Sequence, residues 1–189
     1  LTEDHACRAI VIAAEPGAKQ SEVQAWVSAH CHVSRAGSKQ ICSEQLSFSL
    51  KGECAAALLP NIVFAQLDSD LPLSLWWQQE FTAPMDPHLW AWVDRVIYDS
   101  NGWSDFDAQM SLVETAQKEA RQRLVLCDLN WVRLIHQRLA LAQFFDHPAT
   151  HHHLDELTTL EIAHAPGYRS TALLLVGWLA AHPALENAQ

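Results

Sequence analysis

Glycine is scarce, 6 in 189 residues, and none of the six falls in a phosphate-cradling spacing; Gly-x-Ser-x-Gly and His-Glu-x-x-His are equally missing. These gaps remove the phosphate loop, the strained nucleophile elbow and the helical zinc-hydrolase pair, so the chain reads as a non-enzyme that needs no cofactor. Positive charge is short as well. The 12 Lys and Arg face 22 Asp and Glu, a net charge of -10, which repels a phosphate backbone or an anionic bilayer; neither nucleic acid nor membrane is expected as a partner. The longest apolar run, Ala172 to Ala181, falls well below the roughly 20 residues that span a bilayer, and no basic stretch leads into an apolar one at the start. A soluble, cytoplasmic protein is expected. Cysteines are few and odd in number, Cys7, Cys31, Cys42, Cys54 and Cys127, with no Cys-x-x-Cys, unlike a secreted disulfide framework. The chain opens on Leu1 rather than Met, which suggests trimming.

What is present is globular: 49% hydrophobic and 18% charged residues, at a length that buries a real core. Ala9 to Ala14 reads as a strand ended by Glu15-Pro16-Gly17. From Val23 to Val33 apolar and polar residues alternate strictly, and Cys42, Leu46, Phe48 and Leu50 continue the pattern beyond Ala36-Gly37. A hairpin folded there pairs residues whose numbers sum to 73; a slip of one would set apolar against polar faces. Only Glu44, opposite Ala29, breaks the apolar face. A helix over Glu53 to Gln66 follows, kinked or divided by Pro60, then a strand within Leu71 to Trp77 that Pro72 places at its start or at a sheet edge. Pro84, Asp86 and Pro87 mark a loop into a short helix around His88 to Val93, and Arg95 to Asp99 reads as a strand. Helices are expected from Asp105 to about Leu126 and from Asp128 to Asp146, the second with Val132, Ile135, Leu139, Ala142 and Phe145 at core spacing. A polar loop at His147 to His153, a strand at Leu157 to Ala163 and an apolar helix at Ser170 to Ala181 complete the chain. The fold class is α/β (α+β), a mixed, partly antiparallel sheet with an N-terminal β-hairpin, covered by helices. Residues 1–146 are expected to form the main domain, and 147–189 a strand–helix extension packed on it or opening a second subdomain.

Two features invite chemistry. Cys31 and Cys42 stand opposite in the hairpin register, within reach of a disulfide; they read either as a reversible redox pair or as two small buried hydrophobes. His30, Cys31, His32 and Cys42 are also a zinc-type donor set, but alternation points the histidines away from the cysteine, and no metal is expected. Asp94, Asp99 and Ser100 at a strand end read as capping and solvating groups rather than as an acid/base set. The second feature is aromatic: Trp76, Trp77, Trp90, Trp92, Trp103 and Trp131 fall within 56 residues, a composition shared by tryptophan-rich cores and by protein-binding surfaces.

Several segments occur in an order that resembles one family: His5 to Ile12, His30-Cys31-His32, Ile41 to Gln45, Leu71 to Trp77, Asp94 to Ser100, Asp128 to Leu134, Ala142 to Asp146 and Leu173 to Ala180. They resemble the glucose-6-phosphate dehydrogenase assembly proteins, the OpcA family. Where the family pattern has Thr-Pro-Trp-Arg, this chain has Ile135-His136-Gln137-Arg138, keeping the Arg; the pattern also continues further beyond the closing helix. The resemblance implies a non-enzymatic partner of glucose-6-phosphate dehydrogenase that promotes its active oligomer and activates it allosterically in the oxidative pentose phosphate pathway, with redox control in some members. Trp76, Trp77, Arg95, Asp99, Trp131, Arg133 and Arg138 are the candidate partner contacts, and Cys31 and Cys42 the candidate redox pair. The alternative is a sensor domain for a sugar phosphate or nucleotide, which would need Arg95, Arg133 and Arg138 to converge on an anion.

Overall fold

A computed structural model of the chain describes residues 7–33, 40–67, 71–81, 87–119, 124–154 and 158–181. The turn at Ala36-Gly37, the residues Pro84 and Asp86, and Leu157 lie outside these. The chain forms two units, residues 1–71 and 72–189.

The first unit is built on β1 (Arg8–Glu15), β2 (Glu22–Val33) and β3 (Gln40–Lys51), with β3 central: β1 is parallel to it and β2 antiparallel. The hairpin register is the one the alternation dictates, with Val23 opposite Leu50, Ala25 opposite Phe48, Val27 opposite Leu46 and Cys31 opposite Cys42. Glu44, the charge on the apolar face, is answered from the other side. Its neighbour on β1 is Arg8, whose Nε lies 3.6 Å from the Glu44 carboxylate. Helix α1 (Cys54–Gln66) runs through Pro60 as one helix and packs against β1 and β3. Leu50 and Ala55 are fully buried and Val63 nearly so. Gly52 turns the chain from β3 into α1 at a φ of 80°, its N–H donating to the Glu15 carbonyl at 3.0 Å. A side chain there would place Cβ 2.6 Å from Ser21 Oγ and 2.9 Å from Ser21 Cα, so both backbone sign and space require glycine.

The second unit holds a parallel sheet of β4 (Ser74–Trp76), β5 (Arg95–Tyr98) and β6 (Val125–Asp128) in that order. β4 is an edge strand, as Pro72 suggests. A short α2 (Pro87–Trp90) connects β4 to β5, and α3 (Phe106–Glu119) lies between β5 and β6. Then come α4 (Leu129–Arg133), α5 (Ile135–Asp146), a 3-10 turn at His151–Leu154 and α6 (Arg169–Ala180). The core gathers around Phe81, which meets Trp77, Trp90, Tyr98 and Trp103 at ring-centroid distances of 5.7, 6.1, 5.6 and 6.0 Å. Gln109 fixes the Phe81 backbone from α3, accepting from its N–H at 2.7 Å and donating to its carbonyl at 3.2 Å.

Three sequence expectations are corrected here. The helix expected to reach Leu126 ends at Glu119, and Val125–Asp128 is a strand. Leu124 to Cys127 is an apolar run too short for its period to distinguish helix from strand; pairing with β5 decides the matter. The single helix expected over Asp128 to Asp146 breaks at Leu134 into α4 and α5. Residues 158–163, expected within a strand, carry no regular structure and are largely exposed. Among the described residues, no helix is long and apolar enough to cross a membrane.

Candidate functional site

The carboxyl ends of β5 and β6 lie side by side, the place where open parallel sheets present their binding groups. Asp128 closes β6 and caps α4, its Oδ1 accepting from the Asn130 N–H at 2.9 Å and the Ser100 N–H at 3.1 Å. Asn130 in turn donates through Nδ2 to Ser100 Oγ at 3.0 Å and accepts from Thr171 Oγ1 at 2.9 Å. One buried polar network thus joins the ends of β5 and β6 to α4 and α6, with Ser100 and Asn130 almost wholly out of solvent. Asp128 and Asn130 were not among the sequence candidates, although Asp128-Leu129-Asn130 ahead of an apolar period carries the N-cap signal. Tyr98, beneath this network, has its phenol pushed far up by burial first and by Asp128 and Cys127 after it, and so stays neutral.

Two cation contacts lie outside the network. Arg133, at the end of α4, bonds both carboxylate oxygens of Asp99 in a fork, Nη1 to Oδ1 at 2.8 Å and Nη2 to Oδ2. That bond is the first cause holding the Asp99 carboxyl below its usual range, helped by the Asn101 N–H and opposed by partial burial; the same bond raises Arg133. Arg138 of α5 lays its guanidinium 3.5 Å above the Trp131 ring centroid and donates to the Trp131 carbonyl at 3.2 Å. Among the described residues, Asp128 Oδ2 and Arg138 Nε are the buried side-chain polar atoms that lack a partner.

The structure therefore brings Asp99, Trp131, Arg133 and Arg138 to one end of the second sheet. Trp76 is exposed and pairs with Ile97 at the same end, whereas Trp77 turns into the Phe81 cluster and donates its indole N–H to the Glu80 carbonyl. Arg95 sits at the opposite end of β5, beside Ser74. The three arginines do not converge: one is held by Asp99, one by Trp131, and one is at the far end of its strand. The tryptophans divide, with Trp90 and Trp103 in the core and Trp92 on the surface.

Next to Trp131 lies an apolar surface. Val132, Ile135 and Leu139, placed by their period on a core face, are instead exposed, and no residue of α5 is buried. Phe144, further along α5, is 56% exposed.

In the first unit Cys31 and Cys42 are joined by a disulfide across β2 and β3, with a Cα–Cα distance of 4.1 Å. Both residues are exposed rather than buried among hydrophobes. The bond also occupies the thiolates that a zinc site there would have needed.

Comparison with known proteins gives the same family for both parts of the chain. Residues 1–117 match the family model described as the glucose-6-phosphate dehydrogenase subunit N-terminal domain, and residues 125–185 match the corresponding C-terminal domain. A relative from Nostoc punctiforme bearing the name OxPP cycle protein OpcA is 31% identical over 183 residues, covering 92% of this chain and 37% of the relative. One of the same name from Synechocystis is 26% identical over 185 residues, 95% of this chain and 38% of its own length. The chain thus spans well under half the length of these curated relatives. Over that span it belongs to the OpcA family, whose models describe a glucose-6-phosphate dehydrogenase subunit.

Proposed function

We propose that the chain is a non-catalytic partner of glucose-6-phosphate dehydrogenase in the cytoplasm, binding it, promoting its active oligomer and raising its activity in the oxidative pentose phosphate pathway. The observation that carries this reading is the uncovered surface on α4 and α5. Val132, Ile135 and Leu139 expose apolar side chains beside Trp131 and Arg138, and aromatic and arginine anchors within an apolar patch are the composition of binding hot spots. The family models name the dehydrogenase as the protein concerned. Trp131, Arg138, Arg133 and Asp99 are assigned to the contact, with Trp76 at its edge. Trp77 supports from within the core, and Arg95 lies at the other end of β5.

Within this proposal the Cys31–Cys42 disulfide is the redox element: both residues are exposed, so a dithiol reductant reaches them. A sugar-phosphate sensor is the weaker reading because its three arginines do not meet. The test is co-sedimentation with the dehydrogenase, comparing the wild-type chain with Leu139→Glu, which puts a charge on the exposed stripe without opening a cavity. Loss of the complex with an unchanged circular dichroism spectrum supports the assignment. Undiminished binding would place the contact elsewhere.

A further inference from the structure

Among the described residues, strand β2 is a long sheet edge. Among them it pairs with β3 alone and runs unbroken for 12 residues. It contains no Pro, Lys or Gly, and its one charged residue is Glu22. Natural edges are normally blunted by lysine, proline, bulges or shortness, because free N–H and C=O groups template another strand. Here Val27 is 69% exposed, Val23 52% and Trp26 51%.

The disulfide shows which backbone groups are free. Opposed residues of an antiparallel pair sit about 5.5 Å apart (Cα to Cα) where they exchange hydrogen bonds and about 4.5 Å where they do not. Cys31 and Cys42, at 4.1 Å, are a pair of the second kind. By alternation Val23, Ala25, Val27, Ala29 and Cys31 all turn their N–H and C=O away from β3, toward the open edge. A strand added to β2 must bond these five residues.

We propose that β2 pairs antiparallel with β2 of a second copy of this chain, about a two-fold axis through Val27, making one six-stranded sheet. This register uses all five outward residues: Val27 meets Val27, Ala25 meets Ala29, and Val23 meets Cys31. It forms about ten N–H···O bonds, two per pair. The other face is complementary in size and polarity. Trp26 stands across from Ser28, which leaves room for the indole, and Gln24 stands across from His30. The two Trp26 rings become diagonal neighbours, roughly 7–8 Å apart at the backbone and within aromatic reach. A second copy is favoured over a foreign strand because the sequence is self-complementary about its own centre: small residues face small, valine faces valine, and the large ring faces serine. Each chain carries -10, so the two repel at long range, and the dimer strengthens as salt screens that repulsion.

The test measures mass by sedimentation and amide hydrogen exchange by NMR across a concentration series, on the full chain with its disulfide intact and its other cysteines, Cys7, Cys54 and Cys127, blocked. The expected result is a mass rising to twice that of one chain, more readily at high salt. The amides of Val23, Ala25, Val27, Ala29 and Cys31 should slow at least tenfold with concentration, while those of Gln24, Trp26 and Ser28, already bonded to β3, hold steady. Val27→Pro removes an outward N–H and no bond to β3, and Val27→Lys sets two ammonium groups face to face; both should be single chains with unchanged circular dichroism. A wild-type chain that stays single, a dimer that survives both substitutions, or a dimer without that alternating protection each overturns the proposal. If a variant fails to fold, the wild-type exchange pattern decides alone. Protection that appears only when the dehydrogenase is added would also overturn it, in favour of a foreign strand.

Discussion

Asp99 and Arg133, 34 residues apart in the chain, are joined by a two-pronged guanidinium–carboxylate contact that ties the end of β5 to the end of α4. The fork has a geometry that a lysine cannot reproduce. It holds α4 against the sheet end and thereby orients Trp131, two residues earlier on the same short helix. Its direct effect on stability is small because both side chains reach solvent: an exposed pair contributes about 1 kcal/mol or less.

The pair makes stability depend on pH in a definite direction. The Asp99 pKa is lowered in the folded state by Arg133, so its contribution is present above the unfolded value of about 3.9 and is lost as pH falls through the lowered folded value. Urea unfolding of wild type and Arg133→Gln should therefore differ by a constant small amount from pH 7 down to about 5 and converge in stronger acid. A difference that grew on acidification would contradict the assignment.

Trp131 and Arg138 form the second contact at this end, the cation lying over the indole face. A double-mutant cycle with Trp131→Leu and Arg138→Met should give a coupling of about 0.5–1 kcal/mol in the free protein. Each single substitution should weaken dehydrogenase binding by more than it weakens folding. Equal losses in both measurements would make the pair structural only.

Asn130 is the centre of the buried network, bonded to Ser100 and Thr171 through its side chain and to Asp128 through its backbone. Asn130→Ala strands a buried hydroxyl and should cost about 1–3 kcal/mol in chemical unfolding. Thr171→Val, which removes one bond at a part-buried site, should cost less. The reverse order would show that the network does not anchor α4.

These cases show what could be read in the chain beforehand. The β2–β3 register was legible residue by residue because one face is apolar and the period of two tolerates no slip. The role of Glu44 was not, since its answer, Arg8, lies on a strand that alternation cannot place beside it. Strand β6 was hidden because four apolar residues have no period and only the free edge of β5 gives them one. Asp99, Trp131, Arg133 and Arg138 were singled out, but which pairs with which was not, because the distance from Asp99 to Arg133 closes only through the fold. The stripe of Val132, Ile135 and Leu139 had the period of a core, and a period does not say whether the chain's own residues or another protein covers it.

The Cys31–Cys42 bond closes a loop of 11 residues' separation, for which chain-entropy reasoning gives about 2–3 kcal/mol of stabilisation. Dithiothreitol should lower the thermal midpoint of the wild type and leave Cys31→Ser/Cys42→Ser unaffected, while native alkylation labels both sulfurs only after reduction. A wild-type midpoint indifferent to reductant would contradict a stabilising disulfide.

The measurement that bears most directly on the whole account is the rate and oligomeric state of glucose-6-phosphate dehydrogenase from the same organism, with and without this chain, under reducing and oxidising conditions. The account predicts a higher rate together with a larger complex that contains the chain, weakened by Trp131→Leu and altered when the disulfide is reduced. Unchanged rate and no co-migration under either condition would contradict it.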